Sequence, residues 1–204
     1  MSKIKISPSS AIWFIFLLFS TPTLALPLIS AVALHELGHL FCAKLLGVKI
    51  YSFNLSVLGA RLNIDSEISY TDELLISIFG PLFGMLGFGF TFFVALKYTC
   101  EPFCDKFLFP FSCISLCLAV FNLAPIDTLD GGRIAKCLCY KLFALSKAEK
   151  IIKYITFCTL AILWLIATYL MIKIADGLSM FVFCAILFSK CFIFNSKNRD
   201  FKSF

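Results

Sequence analysis

Six apolar stretches, separated by short polar or Gly/Pro-containing segments, constrain this chain more than any other feature. They run from Ala11 to Ala25, Leu28 to Leu46, Leu74 to Leu96, Phe107 to Leu123, Ile151 to Ile172 and Leu178 to Phe194. A bilayer's hydrocarbon core is about 30 Å thick and a helix rises about 1.5 Å per residue, so a span needs roughly 20 apolar residues. Only the first stretch is short for that task. Hydrophobic residues make up 60% of the 204, against about 45–50% in soluble domains. A chain this small cannot hide so much apolar surface from water. The expected fold is therefore an all-α membrane protein of about six transmembrane helices, forming one domain over residues 1–204.

The first stretch has the look of a signal peptide, with Lys3 and Lys5 ahead of it and Thr21 to Ala25 as a cleavage-like end. Apolar character resumes at Leu26, so we read it as a retained span. The net charge of +6 reports orientation and not nucleic-acid binding. With the N-terminus in the cytosol and six spans, 15 of the 18 Lys and Arg residues fall on the cytosolic side. Lys97, Lys106 and Lys173 face the other way. The positive-inside rule then puts both termini in the cytosol of a multi-pass protein.

One connection differs in texture. Val48 to Ile64, between spans two and three, is rich in β-branched and aromatic residues in near alternation, with Gly59 as a breaker. It predicts a small β-hairpin on the cytosolic side. Cys113, Cys117, Cys158 and Cys184 lie in apolar runs, where a thiol behaves as a small hydrophobe. Cys100 and Cys104 flank a short polar loop and are read as unpaired thiols.

The chemistry sits in the second stretch, where His35-Glu36-Leu37-Gly38-His39 forms a His-Glu-x-x-His pattern. Residues four apart share one helical face, so both imidazoles reach one Zn²⁺ while Glu36 projects beside it. A structural reading would make these two buried histidines and an ion-paired glutamate. Against it, the chain has only two histidines, and both fall at this spacing. Ionisable groups at a membrane-helix centre cost about 2.5–3.5 kcal/mol each by insertion scales, and they are functional by default. Catalytic zinc takes three protein ligands. The third is sought in Phe121 to Gly132, where Pro125 and Gly131-Gly132 permit irregular backbone and either Asp127 or Asp130 could turn inward.

Taken together, His35-Glu-Leu-Gly-His39 and Asn122-x-x-Pro125-x-x-x-x-Asp130-Gly131 resemble the site-2 protease family of intramembrane zinc metalloproteases (M50). The compact layout is most similar to the sporulation-associated branch, whose members process membrane-tethered precursors of transcription factors. The resemblance implies a catalytic core over about 28–132 and one zinc ion per chain. His35, His39 and Asp130 would be its ligands, Glu36 the general base, and Asn122 a group that holds the substrate backbone or oxyanion. Phe79-Gly80-Pro81-Leu82-Phe83-Gly84 is similar to a Gly-Pro stretch that packs near the family's catalytic core. The chain departs from the pattern at Gly84, where Asn is frequent, and at Ile126-Asp127-Thr128, where prolines are common.

The implied substrates are membrane-associated proteins, such as a tethered transcription-factor precursor or an anti-sigma factor, and the implied location is a bacterial cell membrane. No segment resembles the family's PDZ-like insertion or nucleotide-sensing domain. Selection is therefore expected from the membrane core, the Val48–Ile64 segment or a regulatory membrane partner. The same ligands could serve a zinc transporter or sensor, but transport does not require a carboxylate between the two histidines. An inactive scaffold is disfavoured because every implied catalytic residue is present.

Overall fold

A computed structural model describes residues 3–6, 22–48, 50–56, 59–64, 68–98 and 101–173. The chain divides into two compact units, Met1–Leu123 and Ala124–Phe204.

In the first unit, helix α1 spans Pro22–Leu45. The sequence placed a break between Ala25 and Leu28; the helix instead runs straight through it. Pro27 lies little more than a turn inside the helix, where its missing N–H frees only the carbonyl of Thr23. The helix stops at Gly47, whose φ of 68° is the left-handed conformation that only glycine adopts without cost. Val48 N–H donates to the Ala43 carbonyl at 3.0 Å and Gly47 N–H to that of Lys44 at 3.2 Å. These two bonds form a Schellman cap that turns the chain out of the helix.

Strands β2 (Ile50–Ser56) and β3 (Gly59–Ile64) then pair antiparallel, with a bulge between Ile50 and Ser52. Strand β1 (Lys3–Ile6) adds parallel to β2, matching Lys3 with Ser52 and Ile6 with Leu55. The sheet order is β1-β2-β3. The β1 pairing has no local signal in the sequence, since a parallel partner is fixed only by tertiary placement.

Helix α2 covers Tyr70–Lys97. It begins a turn before the apolar run because Ser69 caps it, its Oγ accepting from Thr71 N–H at 3.2 Å. Asp72 and Glu73 occupy the positive end of the helix dipole and Lys97 the negative end. A π-helical turn, Cys104–Leu108, leads into α3, Phe109–Asn122. Phe109 N–H reaches back to Cys104, and Pro110 next to it has no N–H to give.

The second unit contains α4, Asp130–Leu142, and α5, Leu145–Lys173. Helix α4 is not among the six apolar stretches; it is amphipathic and too polar to register as a span. Along α5, Ala148, Ile152, Thr156, Leu160 and Ala167 are buried on one stripe, whereas Tyr154, Phe157, Leu165 and Ile172 are exposed.

The exposure pattern inverts that of a soluble protein. Among the described residues, α1, α2 and α3 bury small ones, such as Ala31, Ala43, Ser77, Gly80, Gly84, Ser115 and Ala119. Phe90 and Phe93 are 73% and 71% exposed. Water would penalise that surface and lipid does not, because membrane helices associate through small residues at close approach. Four described helices are long and apolar enough to cross a membrane: Thr23–Leu45, Tyr70–Lys97, Cys104–Asn122 and Leu145–Tyr169. The chain is a mostly helical integral membrane protein. Of the six expected spans, the last and most of the first lie outside the described residues, as do the Cys100–Cys104 pair's first member and both termini.

Candidate metal centre

His35, Glu36 and His39 lie on α1 and are only 3%, 7% and 4% exposed. His39 Nδ1 is 2.7 Å from the backbone carbonyl of Ile76 on α2. A carbonyl only accepts, so Nδ1 carries the hydrogen and Nε2 presents its lone pair. Fixing the tautomer through the far nitrogen is how proteins orient a metal-ligating histidine. The two Nε2 atoms of His35 and His39 stand 3.2 Å apart, with the rings nearly perpendicular at 83°. Two nitrogens bound about 2.0–2.1 Å from one zinc at a tetrahedral angle would be about 3.3 Å apart. The pair has the edge length of a zinc site.

Three glycines let the neighbouring helix come this close. Gly38 on α1 faces the Phe79 carbonyl so tightly that a Cβ would overlap it. At Gly80 on α2 a Cβ would collide with the His39 ring at Nε2 and Cε1. Gly84, one turn further, sits beside Ala119 and Ser115 of α3, where a Cβ would lie 3.2 Å and 3.3 Å from their nearest atoms. The imidazole of His39 thus lies in a cradle made by the absence of a side chain at position 80. We expect Gly80→Ala to weaken zinc affinity about 10–100-fold, the usual effect of disturbing a group that orients a ligand. Competition with a chromophoric chelator would measure it. Gly89→Ala, where a Cβ meets nothing within 4 Å, serves as the control and should leave affinity unchanged.

The segment carrying the candidate third ligand is shaped by Pro125 and Gly132. Ile126 N–H donates to the Ala124 carbonyl at 2.7 Å, a tight turn around Pro125, and Leu129 N–H donates to Ile126 at 2.9 Å. The turn folds back so closely that a Cβ at Gly132 would overlap the Ile126 carbonyl. The sequence took Gly131-Gly132 as the point where a helix breaks. They instead lie in the first turn of α4, where the folded-back loop leaves no room for a side chain at position 132. Asp130 opens α4 at the positive end of its dipole and is 8% exposed.

The sequence left Asp127 and Asp130 open as the third ligand, and the two differ in their surroundings within the second unit. Asp127 forms an ion pair with Lys136 within the second unit. Asp130, like the two histidines, is buried within its own unit. Two imidazoles and one carboxylate are a donor set that suits catalytic zinc, with a fourth position open. Asn122, half-buried at the end of α3, donates one amide hydrogen to the Leu118 carbonyl at 3.0 Å. Sequence reasoning flagged the Gly80-Pro81 stretch by resemblance, but neither the Ile76 carbonyl nor Lys136 carried a signal that could have singled it out.

A profile of Peptidase family M50 matches residues 99–166. A zinc metalloprotease of Methanocaldococcus jannaschii is 35% identical over 121 residues, which cover 59% of this chain and 35% of the relative's own length. Among solved structures, the site-2 protease of Methanocaldococcus jannaschii superposes with a TM-score of 0.70 at 26% identity, over 92% of this chain and 88% of that one. The likeness thus extends well beyond the His-Glu-x-x-His helix. The chain is similar to site-2 protease in fold and to M50 peptidases over residues 99–166.

Proposed function

We propose that this protein is an intramembrane zinc metalloprotease that hydrolyses peptide bonds of membrane-associated protein substrates. The observation that carries the reading is the pair of Nε2 atoms 3.2 Å apart beside a buried glutamate on an apolar helix. His35, His39 and Asp130 would hold the ion, whose contribution is to acidify water and polarise a carbonyl. Glu36 follows His35 directly, so its carboxylate is placed to take a proton from the attacking water and pass it to the leaving amine. The low exposure of the three α1 residues excludes bulk water, which strengthens each charge interaction on the reacting atoms. Asn122 keeps one amide hydrogen beyond its bond to Leu118, enough to donate to a substrate carbonyl or oxyanion.

A peptide bond inside a helix is hidden by its own hydrogen bonds, so a substrate span must unwind before attack. The β2–β3 hairpin suits that task. With β2 in the middle, the outer edges of β3 and β1 are unpaired among the described strands, and that of β3 belongs to the hairpin. An extended substrate could add there by strand pairing. Six spans, cytosolic termini and water entry from the cytosol complete the proposal, on the distribution of Lys and Arg. The compact layout favours a tethered transcription-factor precursor or anti-sigma factor as substrate, with selection assisted by a membrane partner.

The test compares membrane proteomes of cells carrying the wild-type chain or Glu36→Gln. A membrane-tethered precursor should accumulate uncut with the variant, and its soluble fragment should vanish. Identical proteomes would count against the hydrolase.

A further inference from the structure

Helix α4 and the start of α5 form a surface that the proposed hydrolysis does not use. At 13 residues, α4 is about 20 Å long and cannot cross a bilayer. It nonetheless leads, through Phe143 and Ala144, directly into the spanning helix α5. The junction is exposed in two chemistries at once. Leu138, Leu142, Phe143 and Leu145 are 47%, 73%, 46% and 62% exposed. Lys141, Lys147, Lys150 and Lys153, interleaved with them, are exposed as well. From Gly131 to Lys153 the chain holds Arg133, Lys136 and these four lysines against a single acid, Glu149. Asp127, the nearest acid before this stretch outside the metal group, is already paired with Lys136.

Exposed leucines and a phenylalanine in water would be a liability, and lysines in hydrocarbon would be a cost. Both are satisfied only at the boundary between them. There the apolar side chains enter the acyl region while the lysine stems extend outward and place their ammonium groups among the headgroups. The excess of positive charge selects the sign of those headgroups. We propose that the α4–α5 junction is an interfacial docking surface for anionic phospholipid, in the leaflet where α5 begins. The occupant is a lipid headgroup and not a partner protein, because the charged and apolar groups alternate along a segment continuous with a membrane span. Lipid bound there would hold α4, and hence the helix whose first residue is Asp130, against the bilayer surface.

The test reconstitutes the full chain in phosphatidylcholine bilayers containing trace spin-labelled phosphatidylglycerol or spin-labelled phosphatidylcholine. The motionally restricted fraction of each label is read by electron paramagnetic resonance. We expect the anionic label to be enriched at least about threefold over the neutral one, and the preference to shrink in high salt. The triple variant Lys141→Gln, Lys147→Gln, Lys150→Gln should bring the two labels close to equality. Arginine at the same three positions should restore the preference, which guards against a folding artefact. Equal fractions in the wild type, or a preference that the triple glutamine variant retains in full, would overturn the proposal. So would loss of a co-purifying protein from the triple variant without any change in lipid preference, which would assign the surface to a protein partner.

Discussion

Replacing Glu36 by Gln should remove the proposed cleavage and leave the metal in place. The amide keeps the size of the carboxylate and its ability to accept a hydrogen bond, but it cannot take a proton from water. Loss of a positioned general base costs typically 10²–10⁴ in rate, so kcat on a purified substrate should fall by about that factor. Zinc content should stay at that of the wild type, because Glu36 is not one of the proposed ligands His35, His39 and Asp130. Elemental analysis of the purified variant beside a cleavage assay separates the two effects. Cleavage within a fewfold of wild type would exclude Glu36 as the base. Loss of zinc together with cleavage would instead make it a ligand.

The second large effect distinguishes two aspartates three residues apart. Asp130→Ala leaves two imidazoles to hold the ion, short of the three protein ligands a catalytic zinc site uses. The variant should lose zinc on dialysis against a mild chelator and show no measurable cleavage. Asp127→Ala should behave otherwise. Its carboxylate is engaged with Lys136, and both side chains remain partly open to solvent. Such pairs contribute about 0–1 kcal/mol, so zinc content should be unchanged. Retention of zinc by Asp130→Ala, or its loss from Asp127→Ala, would exchange the two roles.

These outcomes bear on how much of the molecule is legible in its residues. Apolar run length locates the membrane helices because the bilayer imposes a length that sequence must meet. The His35-Glu36-His39 spacing is equally local, since four residues bring two side chains onto one helical face whatever surrounds them. Boundaries read less well. Pro27 and the Gly131-Gly132 pair look like breaks, yet both lie within helices. At Pro27 the helix gives up only the one bond to the Thr23 carbonyl, and glycine at 132 answers to a backbone folded against it. Helix α4 escaped notice because an amphipathic segment of 13 residues resembles a charged loop when hydropathy alone is averaged.

The sequence alone determined the solvent, the principal spans and the identity of the metal-binding helix, because each follows from local periodicity or from length matched to the bilayer. Only the tertiary structure decided which aspartate is engaged by Lys136, which carbonyl sets the tautomer of His39, and why position 80 must lack a side chain. Those facts depend on groups that are not neighbours in the chain, as when Ile76 meets His39 across 37 residues. No local pattern of residues encodes such a meeting; close packing of the folded chain does.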